Sequence, residues 1–191
     1  AEAKGDFFMS WVIFGQLLVS GLFLGGVYSL VACGLTLIYG EMKIINFAHG
    51  DLLMIGMYLS FWAYSLGGVD PYLSLPINAI ILFFIGIIIQ RILIQPALKA
   101  PSINQMLLTL GLSSLLIGLT QLISGPHPRN LILPYAFNSI NIGRVVLNIP
   151  RLTAFVGSMI VTIAMYYFLR KTKTGKAIRA CSQSGEGAYL M

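Results

Sequence analysis

Asn46, His49 and Asp51 lie close together at the start of an apolar stretch, and their residue types allow two roles. Ionisable groups at membrane depth are costly, so they are usually paired, hydrated or functional. A structural role is equally open: if a helix begins near Asn46, this side chain caps free backbone amides and Asp51 lies near the positive helix end. A single histidine at a helix end is more often a hydrogen-bonded structural residue than a pH switch.

The elements that hold these residues must be membrane helices. Hydrophobic residues make up 57% of the 191 residues and charged residues only 9%, whereas a soluble domain carries roughly 25% charged residues. Residues 11–40 include no Asp, Glu, Lys or Arg, and this stretch is longer than the roughly 20 residues that cross a bilayer. The sequence therefore predicts an all-α polytopic membrane protein.

Five hydrophobic segments are each long enough for one membrane crossing. Basic residues set their orientation, because five of the twelve lie between Arg170 and Arg179, directly after the last apolar segment. This position indicates a cytoplasmic flank and not a nucleic-acid surface. The N-terminus and Asp70 are then expected on the extracytoplasmic side. Three arginines also fall on that side, against the usual charge rule: Arg129, Arg144 and Arg151. The predicted segments are 11–31, 45–66, 73–94, 104–123 and 152–169.

The uncharged stretch 11–40 exceeds one crossing. At about 1.5 Å per residue, thirty helical residues reach about 45 Å, against a hydrocarbon core of about 30 Å. We therefore expect the first crossing to end near Val31 and residues 34–40 to form a bent connection.

The long connection 124–151 begins with Gly125-Pro126-His127-Pro128, which cannot continue a helix. Polar and apolar residues then alternate from Ser139 to Ile142, and Gly143-Arg144 can form a turn. With residues 145–149 as the returning strand, the pattern predicts a small extracytoplasmic loop or hairpin.

Small residues recur at four-residue spacing in the first helix, at Gly21, Gly25 and Ser29. Helices in lipid associate through close van der Waals contact, so this spacing predicts a helix-packing face. Glycine is also simply commoner in membrane helices than in soluble ones. The two cysteines, Cys33 and Cys181, are far apart in different environments, so no disulfide is expected.

Several motifs along the chain resemble those of permeases in the branched-chain amino acid ABC transporter family. The most specific is Gly34-Leu-Thr-Leu-Ile-Tyr-Gly40 followed by Ile45-Asn-Phe-Ala-His-Gly-Asp51, in which Asn46, His49, Gly50 and Asp51 form what we call the helix-start signature. The resemblance covers nearly the whole chain from about residue 15. Its other motifs are Gln95-Pro96, Leu107-Leu-Thr-Leu-Gly111 and Thr172-Lys-Thr-Gly-Lys-Ala-Ile-Arg179.

The resemblance implies a multi-pass subunit of the cell (inner) membrane that works with two ATP-binding subunits, a second permease and an extracytoplasmic solute-binding protein. It implies no enzyme activity and no bound cofactor in this chain. Consistent with this, Gly175-Lys176 is not a nucleotide-binding loop, because Arg170 and Ala177 stand where a glycine and a Ser or Thr are needed. ATP is then used by partner subunits.

Permeases of this kind contact the ATPase through a short cytoplasmic helix, and the corresponding residues here are Gly185, Glu186, Gly187 and Ala188. The match departs from the family, because Ser184-Gly185 replaces the usual Asp-Arg and Gly187 replaces an alanine. Glycine costs an interior helical position about 1 kcal/mol. A frayed end without a partner is the structural alternative.

We therefore expect residues 1–10 to be an N-terminal tail or artificial remnant, 11–169 the N-terminal half of a transmembrane permease domain, and 170–191 a cytoplasmic basic flank with the start of an ATPase-coupling helix. The family pattern continues beyond Met191, which suggests a fragment. The expected solutes are branched-chain amino acids, with urea or an amide as the alternative. Two other classes stay open: an ion-coupled carrier or channel acting alone, and a structural membrane subunit.

Overall fold

The structure, a computed structural model, describes the backbone of residues 2–131, 133–142 and 145–183. Side chains are described for residues 12–40, 43–131, 133–140 and 146–180. The chain divides into two compact units, which we describe separately: unit 1 comprises residues 1–37 and 132–191, and unit 2 comprises residues 38–131.

The described chain is almost entirely helical, which confirms the all-α membrane fold. Four helices are long and apolar enough to cross a membrane: Val12–Gly40, Pro71–Ala97, Ser102–Ser124 and Ile149–Lys171. The remaining predicted segment forms a helix of 19 residues. The elements are α1 (Glu2–Met42), α2 (His49–Gly67), α3 (Pro71–Ile89) with a π turn (Gln90–Ile94), α4 (Gln95–Ala97), α5 (Ser102–Ser124), β1 (Ser139–Ile142), β2 (Val145–Asn148), α6 (Ile149–Lys171) and α7 (Lys173–Gln183).

The predicted bend after Val31 is wrong, because α1 runs without interruption to Met42. No proline interrupts it, and an opened helix in lipid would leave backbone groups without partners. The hydroxyl of Thr36 also bonds within the helix, to the carbonyl of Ala32 at 2.7 Å. The helix ends where Lys43 adopts a left-handed conformation with φ 56°, and its amide donates to Tyr39 O at 2.8 Å.

In unit 1, the predicted hairpin is confirmed. β1 and β2 pair antiparallel, with Ser139 opposite Asn148. The side chain of Gln16, in α1, holds this hairpin: its Nε2 donates to Val146 O at 2.8 Å, and its Oε1 accepts from Val146 N at 2.9 Å. Gln16 therefore satisfies both backbone groups of one residue in the outer edge of β2.

Unit 1 also contains a close contact between α1 and α6. The rings of Phe23 and Phe155 lie 5.3 Å apart, and a Cβ added to Gly26 would come within 2.6 Å of Phe155 Cε2. The predicted packing residues Gly21 and Gly25 are exposed and would meet nothing within 4 Å. Of Gly21, Gly25 and Gly26 in α1, only Gly26 is closely packed, and a packing role for Gly21, Gly25 and Ser29 stays a prediction.

In unit 2, α2 and α3 form a tight helical hairpin. Gly68 ends α2 in the left-handed region with φ 61°, and Asp70 caps α3 by accepting from Tyr72 N at 2.9 Å. Between the helices, Asn78 Nδ2 donates to Ser60 Oγ at 2.8 Å and to Ser74 Oγ at 3.1 Å. Asn78 is only 6% exposed, so this polar cluster joins α2 to α3 as hydrogen bonds join helices in lipid.

We expect Gly26→Ala to destabilise unit 1, because the new Cβ must displace the Phe155 ring, and overpacking of this kind costs roughly 1–3 kcal/mol. Gly25→Ala is the matched control, since its Cβ meets no atom within 4 Å. The SDS fraction at half-unfolding should fall for Gly26→Ala only. Equal shifts in the two variants would contradict the α1–α6 contact.

We expect Gln16→Leu to release the hairpin, because it removes both hydrogen bonds to Val146, each worth roughly 0.5–1.5 kcal/mol. Amide hydrogen exchange should accelerate at Val146 while α6 stays protected. Gln121→Leu serves as the control, because Gln121 is an exposed helical glutamine outside the hairpin. Unchanged exchange at Val146 in Gln16→Leu would show that the hairpin is held by other contacts.

Candidate functional site

The helix-start signature lies partly in the turn between α1 and α2, residues 43–48, and partly in the first turn of α2. Asn46 is 5% exposed and Ala48 is fully buried. Asn46 Oδ1 accepts from Ala48 N at 3.1 Å, and Asn46 O accepts from His49 N at 3.2 Å. The side chain therefore closes the turn by a hydrogen bond to the backbone two residues further on.

The observed start of α2 differs from the expectation for Asn46. The helix begins at His49, its N-cap is Ala48, and no side chain caps it. Asn46 thus lies two residues before the cap and bonds the turn instead of the free amides of the first helical turn. Its position follows from the left-handed Lys43, which ends α1 and leaves a short non-helical segment before the next helix.

A second family motif lies directly against this turn. Thr109, from the motif 107–111, is 2% exposed. Its hydroxyl lies 2.9 Å from Met106 O within α5 and 3.3 Å from Ile45 O in the turn. Two motifs whose contacting residues are 64 positions apart in the sequence therefore meet at one partly buried hydrogen bond.

The same region holds the buried apolar core of unit 2. The turn contributes Ile44 and Ala48 to this cluster, and the π turn contributes Ile94, next to the motif Gln95-Pro96. Because Ala48 is completely buried, a larger side chain has no space there without movement of its neighbours. The remaining buried members are Ile89, Leu112 and Leu116.

Asp51 has an unusual environment in the first turn of α2. Its Oδ2 is buried and has no hydrogen-bond partner among the described residues. The predicted proximity to the positive helix end is confirmed, since Asp51 is the acidic residue of the first turn. A buried carboxylate oxygen without a hydrogen bond is costly and requires a compensating role.

The positions of the other predicted site residues do not indicate a role for them. His49 is half-buried in the first turn of α2, and Gly50 is exposed, with nothing within 4 Å of an added Cβ. The structure thus gives no steric reason for glycine at position 50. The predicted coupling residues Gly185, Glu186, Gly187 and Ala188 lie outside the described residues, and their role stays a prediction.

Sequence reasoning missed the structural roles of three polar residues, each of which forms a hydrogen bond to a different part of the chain: Gln16, Asn78 and Thr109. A signal existed for Asn78, because Ser74 and Asn78 stand four residues apart in an otherwise apolar helix and so share one face. Thr109 belonged to a recognised motif, but its contact with Ile45 depends on tertiary structure. Among the described residues, no three His, Cys, Asp or Glu side chains could hold a metal ion.

We expect Asn46→Ala to destabilise unit 2 by roughly 1–3 kcal/mol, because it leaves the buried amide of Ala48 without a hydrogen bond. Hydrogen exchange at the Ala48 amide should accelerate. Phe47→Ala is the control, since Phe47 is 43% exposed in the same turn. A slow Ala48 amide in Asn46→Ala would contradict the proposed closure of the turn.

Comparison with known proteins places these features in one family. The sequence profile described as the permease component of branched-chain amino acid transport systems matches residues 17–191. No solved structure shows a significant match.

Curated relatives agree with this family match. The high-affinity branched-chain amino acid transport system permease protein BraD of Pseudomonas aeruginosa is 29% identical, over 88% of this chain and 59% of its own length. The corresponding LivH protein of Salmonella typhimurium is 30% identical, over 95% and 63%. A probable branched-chain amino acid transport permease protein LivH of Methanocaldococcus jannaschii is 26% identical, over 92% and 57%.

The chain thus spans about three fifths of the length of the curated relatives that it matches. Its membrane helices and the assembly of its motifs in unit 2 agree with the profile match, which covers most of the chain. This multi-pass membrane protein belongs to the family of permease components of branched-chain amino acid transport systems.

Proposed function

We propose that this chain forms part of a permease subunit of an ATP-driven importer and contributes to the translocation pathway for branched-chain amino acids. The observation that carries the proposal is the match of residues 17–191 to the permease family. The partly buried hydrogen bond between Thr109 and Ile45, next to Asn46, supports it, because two family motifs meet there.

The proposed subunit performs no covalent chemistry and binds no cofactor. ATP is hydrolysed by partner ATP-binding subunits, and the solute arrives on an extracytoplasmic binding protein. A second permease subunit completes the pathway. Supporting this division of labour, the named relatives are permease proteins of transport systems.

Coupling to the ATPase is proposed at Gly185, Glu186, Gly187 and Ala188. These residues follow α7, which continues from the membrane helix α6 after the single residue Thr172. A connection of one residue transmits movement from α7 to α6 efficiently, because it is too short to let the two helices shift independently.

Branched-chain amino acids are favoured over urea or short amides as solutes. The three relatives described above carry branched-chain amino acid transport in their names. An ion-coupled carrier would instead move its solute without nucleotide, which gives a direct way to separate the two classes.

The test is uptake of labelled leucine into proteoliposomes that contain the full-length permease and its partner subunits. We expect accumulation only when ATP and the binding protein are both present, with competition by isoleucine and valine but not by urea. Uptake that persists without ATP would overturn the importer and favour an independent carrier. Assembly without any uptake would favour a structural subunit.

In the same assay we expect Asp51→Asn to lower the uptake rate at least about 10-fold, since the buried Oδ2 of this ionisable side chain has no hydrogen-bond partner among the described residues, as is common at functional sites of membrane proteins. Asn has nearly the same shape, so the yield and the ATPase content of the complex should not change. Asp70→Asn is the matched control, because Asn also caps a helix well. Normal uptake by Asp51→Asn would restrict Asp51 to a structural role.

A further inference from the structure

The junction of α6 and α7 is fixed by residues of both helices. Thr172 separates the two helices, and its hydroxyl bonds to both: it donates to Phe168 O at 2.7 Å and accepts from Gly175 N at 3.0 Å. A Cβ added to Gly175 would lie 2.5 Å from Leu169 Cα. Only glycine fits at this position, and its lack of a side chain allows α7 to lie directly against the last turn of α6.

This close approach creates a cleft of about 430 Å³ at the end of α6, lined by Tyr166, Leu169, Arg170 and Arg179. Arg170 comes from the last turn of α6 and Arg179 from α7, so two guanidinium groups line one cavity. Arg170 is held in place by Tyr166, because its guanidinium carbon lies 5.7 Å from the ring centroid and its Nη1 donates to the tyrosine hydroxyl.

Both charged residues among the described lining of the cleft are arginines. An anion in the cleft would therefore meet two guanidinium groups. Besides Arg170 and Arg179, the basic residues of segment 170–179 are Lys171, Lys173 and Lys176.

The position of the cleft selects the kind of anion. It lies at the end of a 23-residue helix that is apolar enough to cross a membrane. Tyr166 and Tyr167 occupy the level just before the basic residues, as aromatic side chains do at a membrane surface. The cleft places two guanidinium groups next to an exposed apolar helix. A ligand that carries a phosphate group next to an acyl chain matches both of these features.

We propose that the Arg170–Arg179 cleft binds the phosphate group of an anionic phospholipid, with the acyl chains along α6. Guanidinium groups suit this ligand because their planar N–H donors match phosphate oxygens. The bound lipid anchors α7 at the membrane surface, next to the segment that leads towards residues 185–188. The lipid site does not depend on the proposed transport function.

The test is native mass spectrometry of the full-length permease, titrated with phosphatidylglycerol and, separately, with phosphatidylcholine. We expect tighter binding of the first phosphatidylglycerol. A basic residue near an anionic surface contributes about 1 kcal/mol, so Arg170→Gln with Arg179→Gln should weaken binding roughly 30-fold. Arg170→Lys keeps the charge and should retain most of the affinity.

Arg91→Gln is the matched control, because it removes an exposed arginine outside the cleft. An equal loss of binding in Arg91→Gln would overturn the proposal and indicate a diffuse charge effect. Equal binding of the two lipids, or displacement of phosphatidylglycerol by inorganic phosphate, would also overturn it. If the double variant binds lipid normally but loses the ATPase, the cleft serves an acidic protein surface instead. Circular dichroism confirms that the variants remain helical.

Discussion

No water is available inside a bilayer to hydrogen-bond a free backbone amide or carbonyl, and most polar contacts of this chain respond to that constraint. The first helix continues past the predicted bend after Val31, because an opened turn would leave such groups unpaired. Where the backbone does leave the helix, a side chain compensates: Asn46 closes the turn before α2, and Gln16 bonds both backbone groups of Val146. These polar side chains therefore form hydrogen bonds to backbone groups that have left the helix.

Asp51 differs from these polar side chains. Its buried Oδ2 has no hydrogen-bond partner among the described residues, whereas the nearby side chains of Asn46 and Thr109 both form hydrogen bonds to the backbone. Stability alone would favour an uncharged side chain at this position. This contrast distinguishes Asp51 from its neighbours in the helix-start signature.

The end of α6 shows how a fixed backbone can organise charge. Thr172 and Gly175 hold α7 close to α6, and the two arginines share one cleft as a result of that closeness. The same junction leads towards the proposed coupling residues. The proposed lipid site and the proposed coupling residues both lie at or after the end of α6 in the sequence, so membrane composition and nucleotide state can both influence this helix.

The sequence by itself determined the membrane class, the helical segments, the hairpin and the family, because apolar length, basic flanks and turn residues are local properties. It did not determine where α1 ends, since that depends on the conformation of Lys43 and not on helix length alone. Nor did it identify Gly26 as the glycine of α1 that packs against Phe155, or Thr109 as a partner of the turn at Ile45. These contacts join residues far apart in sequence, and only the tertiary structure decides which helical faces meet, because lipid gives every apolar face the same environment.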